Sequence, residues 1–329
     1  MWEKLLLGAA IAAVCHSVSV GWTTSSPSAP DTGKQLDNKH DQALSGKAEF
    51  VRFPPRTEAE RDLENLLRGS DGDIDLALAN WLIAADISEF QGVTREAYFT
   101  RLDAMTEHVR RDMVMMQKSG WHGTNPNDPA TRCIRFCSAI IRLRFAYAEQ
   151  FREENLTPAQ MKALYADSDN IFLVGLLRTR RGTCVSMPLI YLVIGQRLGL
   201  PVHLVAIGKH YFVRWEEPGY RMNIEPTITE KIAITRDDST YLEIEGKTRA
   251  EVKGSEMRNL TGREVVGQLF FTRSAYWATK GPAGRTEQRL DLTRAREFAP
   301  DDPAIKATYQ TVFNTHNAKP ERTSVGVSN

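Results

Sequence analysis

A surplus of charge of either sign is missing from this sequence: 42 lysines and arginines stand against 41 aspartates and glutamates, a net charge of +1 over 329 residues. No overall field therefore draws the chain towards nucleic acid or an anionic membrane, and a phosphate-rich partner is unsupported. Cysteine is scarce too, with four in the whole chain. Cys133 and Cys137 lie four apart in TRCIRFCSAIIRLRFAYAEQ, on one helix face with Ile140, Ile141 and Phe145, the pattern of small buried side chains. A zinc site would need further ligands at suitable spacing, and none stands near them. The reading calls for no cofactor. Long hydrophobic runs are also lacking: the apolar stretch from Leu5 to Val14 is too short to span a bilayer comfortably.

What is present suffices for a globular protein, since 42% of the residues are hydrophobic and the length allows one large domain or two small ones. Residues 1–19 place Lys4 before the apolar run and small residues such as Ser17 and Ser19 after it, which reads as a secretory signal. The mature protein is then exported, periplasmic or secreted. Glu3 weakens the charged start, and if the segment stays uncleaved it becomes an anchor, the one route by which a membrane enters the reading. Cys15 suggests a lipoprotein site, to which Val14 before it is a poor fit. Once the signal is removed three cysteines remain, an odd count that leaves at least one thiol free.

Residues 20–53 are polar, rich in Ser, Pro and Asp, and lack periodicity, so they read as a disordered linker. A helical subdomain follows over 54–156. Thr57 and Glu60 make a capping-box pattern ahead of Leu63, Leu66 and Leu67, and TREAYFTRLDAMTEHVRRDMVMMQK carries Tyr98, Leu102, Met105 and Val109 on one face. SGWHGTNPNDP is a loop in which His122 reads as solvated, and a long helix is predicted from about Pro129 to Phe151. TPAQ at 157–160 starts the next helix and opens a core region over 157–250. After Leu200 the segments PVHLVAI, HYFVRW and YRMNIEPT, separated by signals such as EEPG, read as antiparallel strands. The fold class is therefore α+β: a helical first half, a cysteine-bearing helix packed on a small antiparallel sheet, and C-terminal helices over 251–329.

The segment RTRRGTCVSMPLIYLVIGQRLGLPV, residues 178–202, concentrates the chemistry. Helical periodicity over 185–199 puts Cys184 at a helix N-terminus, where unpaired N–H groups and the helix dipole stabilise a thiolate. Arg178, Arg180 and Arg181 add positive potential. At least one of them, Arg181 foremost, is expected to anchor the loop, and Gly182 to let the chain turn sharply and expose the sulfur. A thiolate nucleophile wants an imidazole, and the imidazole wants an orienting group. His210 begins a strand and supplies the first. Glu225 or Asn223 supplies the second, and because both point to the same face, alternation does not choose between them. His203, inside PVHLVAI, competes as the base but reads as a structural histidine. The bland alternative is a small buried cysteine and a solvated histidine.

Taken together, RRGTCVSMPLIYLVIGQRLGLPV, KHYFVRW and NIEPT resemble the transglutaminase-like superfamily, in particular a bacterial group with an Arg-Gly-Thr-Cys segment before the helix. The resemblance extends weakly upstream through IDLALANWLIAADI and covers roughly residues 70–230. It implies a papain-like arrangement in which Cys184 matches the nucleophile, His210 the general base and Glu225 the acidic third member. Many transglutaminases have Asp where this chain has Glu225, whereas the bacterial group tends to Asn-Ile-Glu. The implied chemistry is thiolate attack on the amide of a peptide or protein substrate, with the acyl group passed to water or an amine. The alternative is a catalytically silent binding module that takes a protein partner through its C-terminal helices. Near the end, RAREFAPDDPAI is similar to the close of a tetratricopeptide unit, so the tail is expected to hold a helical pair.

Overall fold

The computed structural model describes residues 55–314 apart from 122, 124, 152–155, 209 and 228–233. The signal segment, the linker to 53 and His122 lie outside the described residues. Chain order begins with α1 (Glu58–Leu66), α2 (Leu76–Ala84), α3 (Arg95–Lys118), α4 (Pro129–Arg142) and the short strand β1 (Ala146–Tyr147). It continues through α5 (Pro158–Ala166), α6 (Ser168–Ile171), α7 (Leu173–Thr179), β2 (Arg181–Gly182) and α8 (Met187–Arg197). A meander of β3 (Val202–Ile207), β4 (His210–Glu217), β5 (Tyr220–Glu225) and β6 (Ile234–Arg236) leads to α9 (Asp238–Ile244). The helices α10 (Gly262–Thr279), α11 (Arg285–Phe298) and α12 (Pro303–Asn314) complete the described chain. None of the described helices is long and apolar enough to cross a membrane.

Local signals account for most helix starts. The Thr57 hydroxyl accepts the N–H of Glu60 at 3.2 Å. Glu60 does not return the bond, because its carboxylate accepts the N–H of Arg56 at 2.6 Å and the guanidinium of Arg294 at 2.8 Å. Burial raises the pKa of Glu60, but the bonds from Arg294 and Arg56 and their charges outweigh it and hold the group at about 2. The predicted stripe of α3 is real: Tyr98, Leu102, Met105 and Val109 are each no more than 5% exposed. In α5, Thr157 and Gln160 form a complete capping box.

The helix predicted to reach Phe151 stops at Arg142. Arg144 turns into the left-handed region at φ 56°, and Ala146 and Tyr147 then pair in parallel with Arg181 and Gly182. Long-range strand pairing thus overrides helical periodicity in RLRFAYA.

The sheet has the order β3-β4-β5-β6, antiparallel throughout. Alternation divides its faces. Leu204, Val213, Trp215 and Ile224 join the main core, whereas Val205, Ile207 and Phe212 join Tyr241 and Leu242 of α9 in a second, smaller cluster. Helix α8 packs on β3 and β4. The approach is close at Gly195, where a Cβ would stand 2.8 Å from Val202, so a larger side chain there would push helix and strand apart.

The main core is continuous, joining Leu63 of α1, Phe136 of α4, Ile190 of α8, Phe270 of α10 and Ile305 of α12. Helix α10 is buried along most of its length. Its Arg273, 3% exposed, forms a two-bond ion pair with Asp291 of α11 at 2.7 and 2.8 Å and donates to the carbonyl of Ile83 at 2.7 Å. The mixed architecture read from the sequence is the one observed.

Candidate active site

Residues 183–186 form the turn that launches α8. The hydroxyls of Thr183 and Ser186 both donate to the carbonyl of Asn170, at 2.8 and 2.7 Å, which ties the turn to α6. The N–H of Met187 closes on the carbonyl of Thr183 at 2.9 Å, so the helical bonding begins around Cys184 even though α8 proper starts at Met187, two residues later than the periodicity suggests. Cys184 therefore sits where helix N–H groups converge. Its side chain is 3% exposed. Cys133 and Cys137 are free and buried, and the contact from Cys133, with burial, pushes the Cys137 thiol well up.

Gly182 and the arginines differ from expectation. The left-handed residue of the turn is Arg180, at φ 59°, and Gly182 lies in extended β2. Gly182 is needed for packing: a Cβ there would stand 2.7 Å from Leu176 Cδ1, 2.8 Å from Met187 Cγ and 2.9 Å from Ser186 Oγ. The sulfur two residues later is consequently enclosed rather than exposed. Gly182→Ala is expected to cost about 1–3 kcal/mol by overpacking, measured as a lowered midpoint in urea with an unchanged slope. Arg178 bonds Asp169 at 2.6 and 3.0 Å and the carbonyl of Glu89 at 3.1 Å, and Arg180 bonds the carbonyl of Leu143. These two, and not Arg181, tie down the loop. Gly182 faces inward in β2, so Arg181 faces out, and among the described residues its guanidinium makes no hydrogen bond or ion pair.

His210 opens β4 and Glu225 closes β5, which places them side by side at one end of the sheet. Nε2 of His210 lies 2.7 Å from Oε2 of Glu225, with the two side chains 6% and 2% exposed. Glu225 is held in turn: its carboxylate accepts the hydroxyl of Thr227 at 2.7 Å and that of Tyr241 at 3.4 Å. The imidazole is flanked by the rings of Tyr241 and Phe212, with centroids 5.8 and 6.5 Å away. A carboxylate only accepts, so Nε2 carries the proton and Nδ1 is the basic atom of the neutral ring.

Asn223 is committed elsewhere. Its carbonyl oxygen accepts Nε of Arg214 at 2.8 Å and its amide donates to Asp238 at 2.9 Å. Register decides the matter, because β4 and β5 pair Arg214 with Asn223, four residues along β4 from His210. Burial raises the pKa of Asp238, but the bond from Asn223 and the charges of Arg214, Arg221 and Arg249 outweigh it and lower the pKa. His203 likewise pairs with Arg214 in register, away from the β4 start, and burial pushes its pKa down.

Pro226, directly after Glu225, lines a small cavity with Met187, Ile190 and Tyr191 of α8. The first turns of the cysteine helix and the acid-bearing strand end therefore meet at one corner of the α8–sheet layer. Thr227, Tyr241, Thr183 and Ser186 support this corner and had no role in the sequence reading. Thr227 and Thr183 stood inside the quoted segments, but Tyr241 sits on a helix for which no local signal was found. Among the described residues, no group of three or more His, Cys, Asp or Glu is placed to hold a metal ion.

A helix presenting a cysteine at its start, packed on an antiparallel sheet that ends in a His–Glu pair, defines a cysteine-peptidase-like domain. The family description that matches residues 96–270, more than half of the chain, is the transglutaminase-like superfamily, and the chain belongs to it. The match begins in α3 and runs into α10, further towards the C-terminus than the quoted segments alone reach. No curated protein and no solved structure matches the chain.

Proposed function

We propose that the protein is a thiol enzyme that attacks an amide of a peptide or protein, with Cys184 as nucleophile, His210 as base and Glu225 as the group that orients it. The observation that carries this reading is the buried 2.7 Å contact between Nε2 of His210 and Glu225 at the corner where α8 begins. The superfamily's members, usually cysteine peptidases or acyltransferases, support it. Nδ1 of His210 takes the proton of the reduced Cys184 thiol, and Glu225 stabilises the imidazolium that results. The thiolate adds to the amide carbonyl, and His210 then returns the proton to the departing amine, leaving a thioester on Cys184. Water or a second amine, deprotonated by His210, adds to the thioester and expels the thiolate. With the export signal read at residues 1–19, the reaction takes place in the periplasm or outside the cell.

The enclosure of Cys184, which is 3% exposed, favours a second reading in which the domain is catalytically silent and only binds a partner. Labelling with a thiol-reactive peptide electrophile, before and after mild reduction, separates the two. The enzyme reading expects rapid modification of Cys184 after reduction at a pH well below the ordinary thiol pKa of about 8.5, mapped by mass spectrometry. Modification that is absent, or that falls on Cys133 and Cys137 instead, leaves the silent module as the function.

A further inference from the structure

A second concave feature lies beside the Cys184 loop. Arg101 and His108 of α3, Arg142 and Arg144 at the end of α4, and Arg180 before β2 line a groove of about 340 Å³. No carboxylate and no lysine lines it. Asp112, 3.6 Å from His108 and 3.7 Å from Arg142, is the acid that approaches the group, so one negative charge meets four guanidiniums. Arg180 bonds a backbone carbonyl and remains exposed, and Arg101 and Arg144 make no ion pair among the described residues. In a chain with a net charge of +1, this is a local concentration rather than a general basic surface.

The backbone adds an independent sign. Among the described residues three non-glycine residues adopt positive φ: Arg144 at 56°, Arg180 at 59° and Met257 at 59°. Two of the three are arginines of this groove, just ahead of the paired strands β1 and β2. Glycine would hold either position with less strain, so an arginine there keeps a strained backbone and delivers a guanidinium. Arg180 also stands four residues before Cys184, which along extended chain is at most about 14 Å.

We infer that this groove is a subsite for an acidic peptide segment, binding side-chain carboxylates roughly four residues from the amide presented to Cys184. The position of the subsite rests on the proposed reaction, but carboxylate binding does not. Guanidinium forks match carboxylates in two-bond geometry, and the proposed substrate is itself a peptide.

The test uses the full-length chain carrying Cys184→Ala, so binding is read without turnover. Fluorescence anisotropy would compare a labelled peptide rich in Asp and Glu with its Asn and Gln counterpart, at low and at physiological salt. The acidic peptide is expected to bind about tenfold more tightly, with the advantage shrinking as salt rises. Adding Arg101→Gln and Arg144→Gly should abolish the advantage. Because Arg144→Gly relieves the left-handed strain, that single variant should melt no lower than its parent, which separates lost binding from misfolding. Equal binding of the two peptides, an advantage that survives the substitutions, or tighter binding of inorganic polyphosphate than of the acidic peptide would each overturn the inference. Acidic-peptide binding without labelling of Cys184 would overturn the enzyme reading alone.

Discussion

Cys184→Ala is expected to lower turnover of a peptide amide by about 10⁶-fold, and Glu225→Gln by about 10⁴-fold. The second figure is the more discriminating. Glutamine keeps the shape of Glu225 and can still accept the hydroxyls of Thr227 and Tyr241, so the corner stays folded. Its amide can, however, donate to Nε2 of His210, and the imidazole proton then moves to Nδ1. A ring protonated at Nδ1 cannot take the proton of the Cys184 thiol, and the carboxylate that would stabilise an imidazolium is gone. The loss should fall on kcat with little change in KM, since neither side chain needs to touch the substrate's remote parts. Asn223→Ala provides the contrast: it opens the Arg214–Asp238 network and should lower stability while leaving turnover per folded molecule within a few-fold. Single-turnover kinetics on reduced protein would decide. A Glu225→Gln enzyme within threefold of its parent, or a Cys184→Ala protein that still turns over, removes the proposed chemistry.

Asp291→Ala should cost about 3–5 kcal/mol, which for a domain of ordinary stability is a large part of the total. Arg273 and Asp291 are 3% and 1% exposed, so the pair is taken almost wholly out of water. Removing the acid strands a buried guanidinium whose remaining partners are the Ile83 carbonyl at 2.7 Å and the half-buried Asp86 at 3.3 Å. The attraction between the charges mostly offsets their desolvation, so the pair itself contributes little, and a double exchange to apolar residues of similar size is expected to be far milder than the single one. Urea denaturation of Asp291→Ala and of the Arg273→Met, Asp291→Leu double variant would show this. A single substitution costing under about 1 kcal/mol would mean that α2, α10 and α11 are held together by apolar packing alone.

Features that depend on neighbours within one or two turns were legible in the sequence. The stripe of Tyr98, Leu102, Met105 and Val109, the helix start at TPAQ, the three strands from Val202 to Glu225 and the placement of Cys184 at a helix start all follow from spacing and local hydrogen bonding. His210 and Glu225 were named for their types and positions, with the resemblance choosing the acid. Alternation alone left Asn223 equal to Glu225, because residues two apart on a strand face the same way. Pairing resolved it: with Asn223 opposite Arg214, Glu225 lies one pleat nearer the start of β4, within reach of His210. The same kind of long-range decision ended α4 at Arg142, gave the loop anchor to Arg178 and Arg180 rather than Arg181, and set Gly182 against Leu176, Met187 and Ser186. It also brought Tyr241 from an unforeseen helix onto the imidazole. Register, close approach and side-chain partners are relations between segments far apart in the chain. The sequence by itself therefore determined the elements and the chemical types available to the site, and only tertiary packing decided which of them meet.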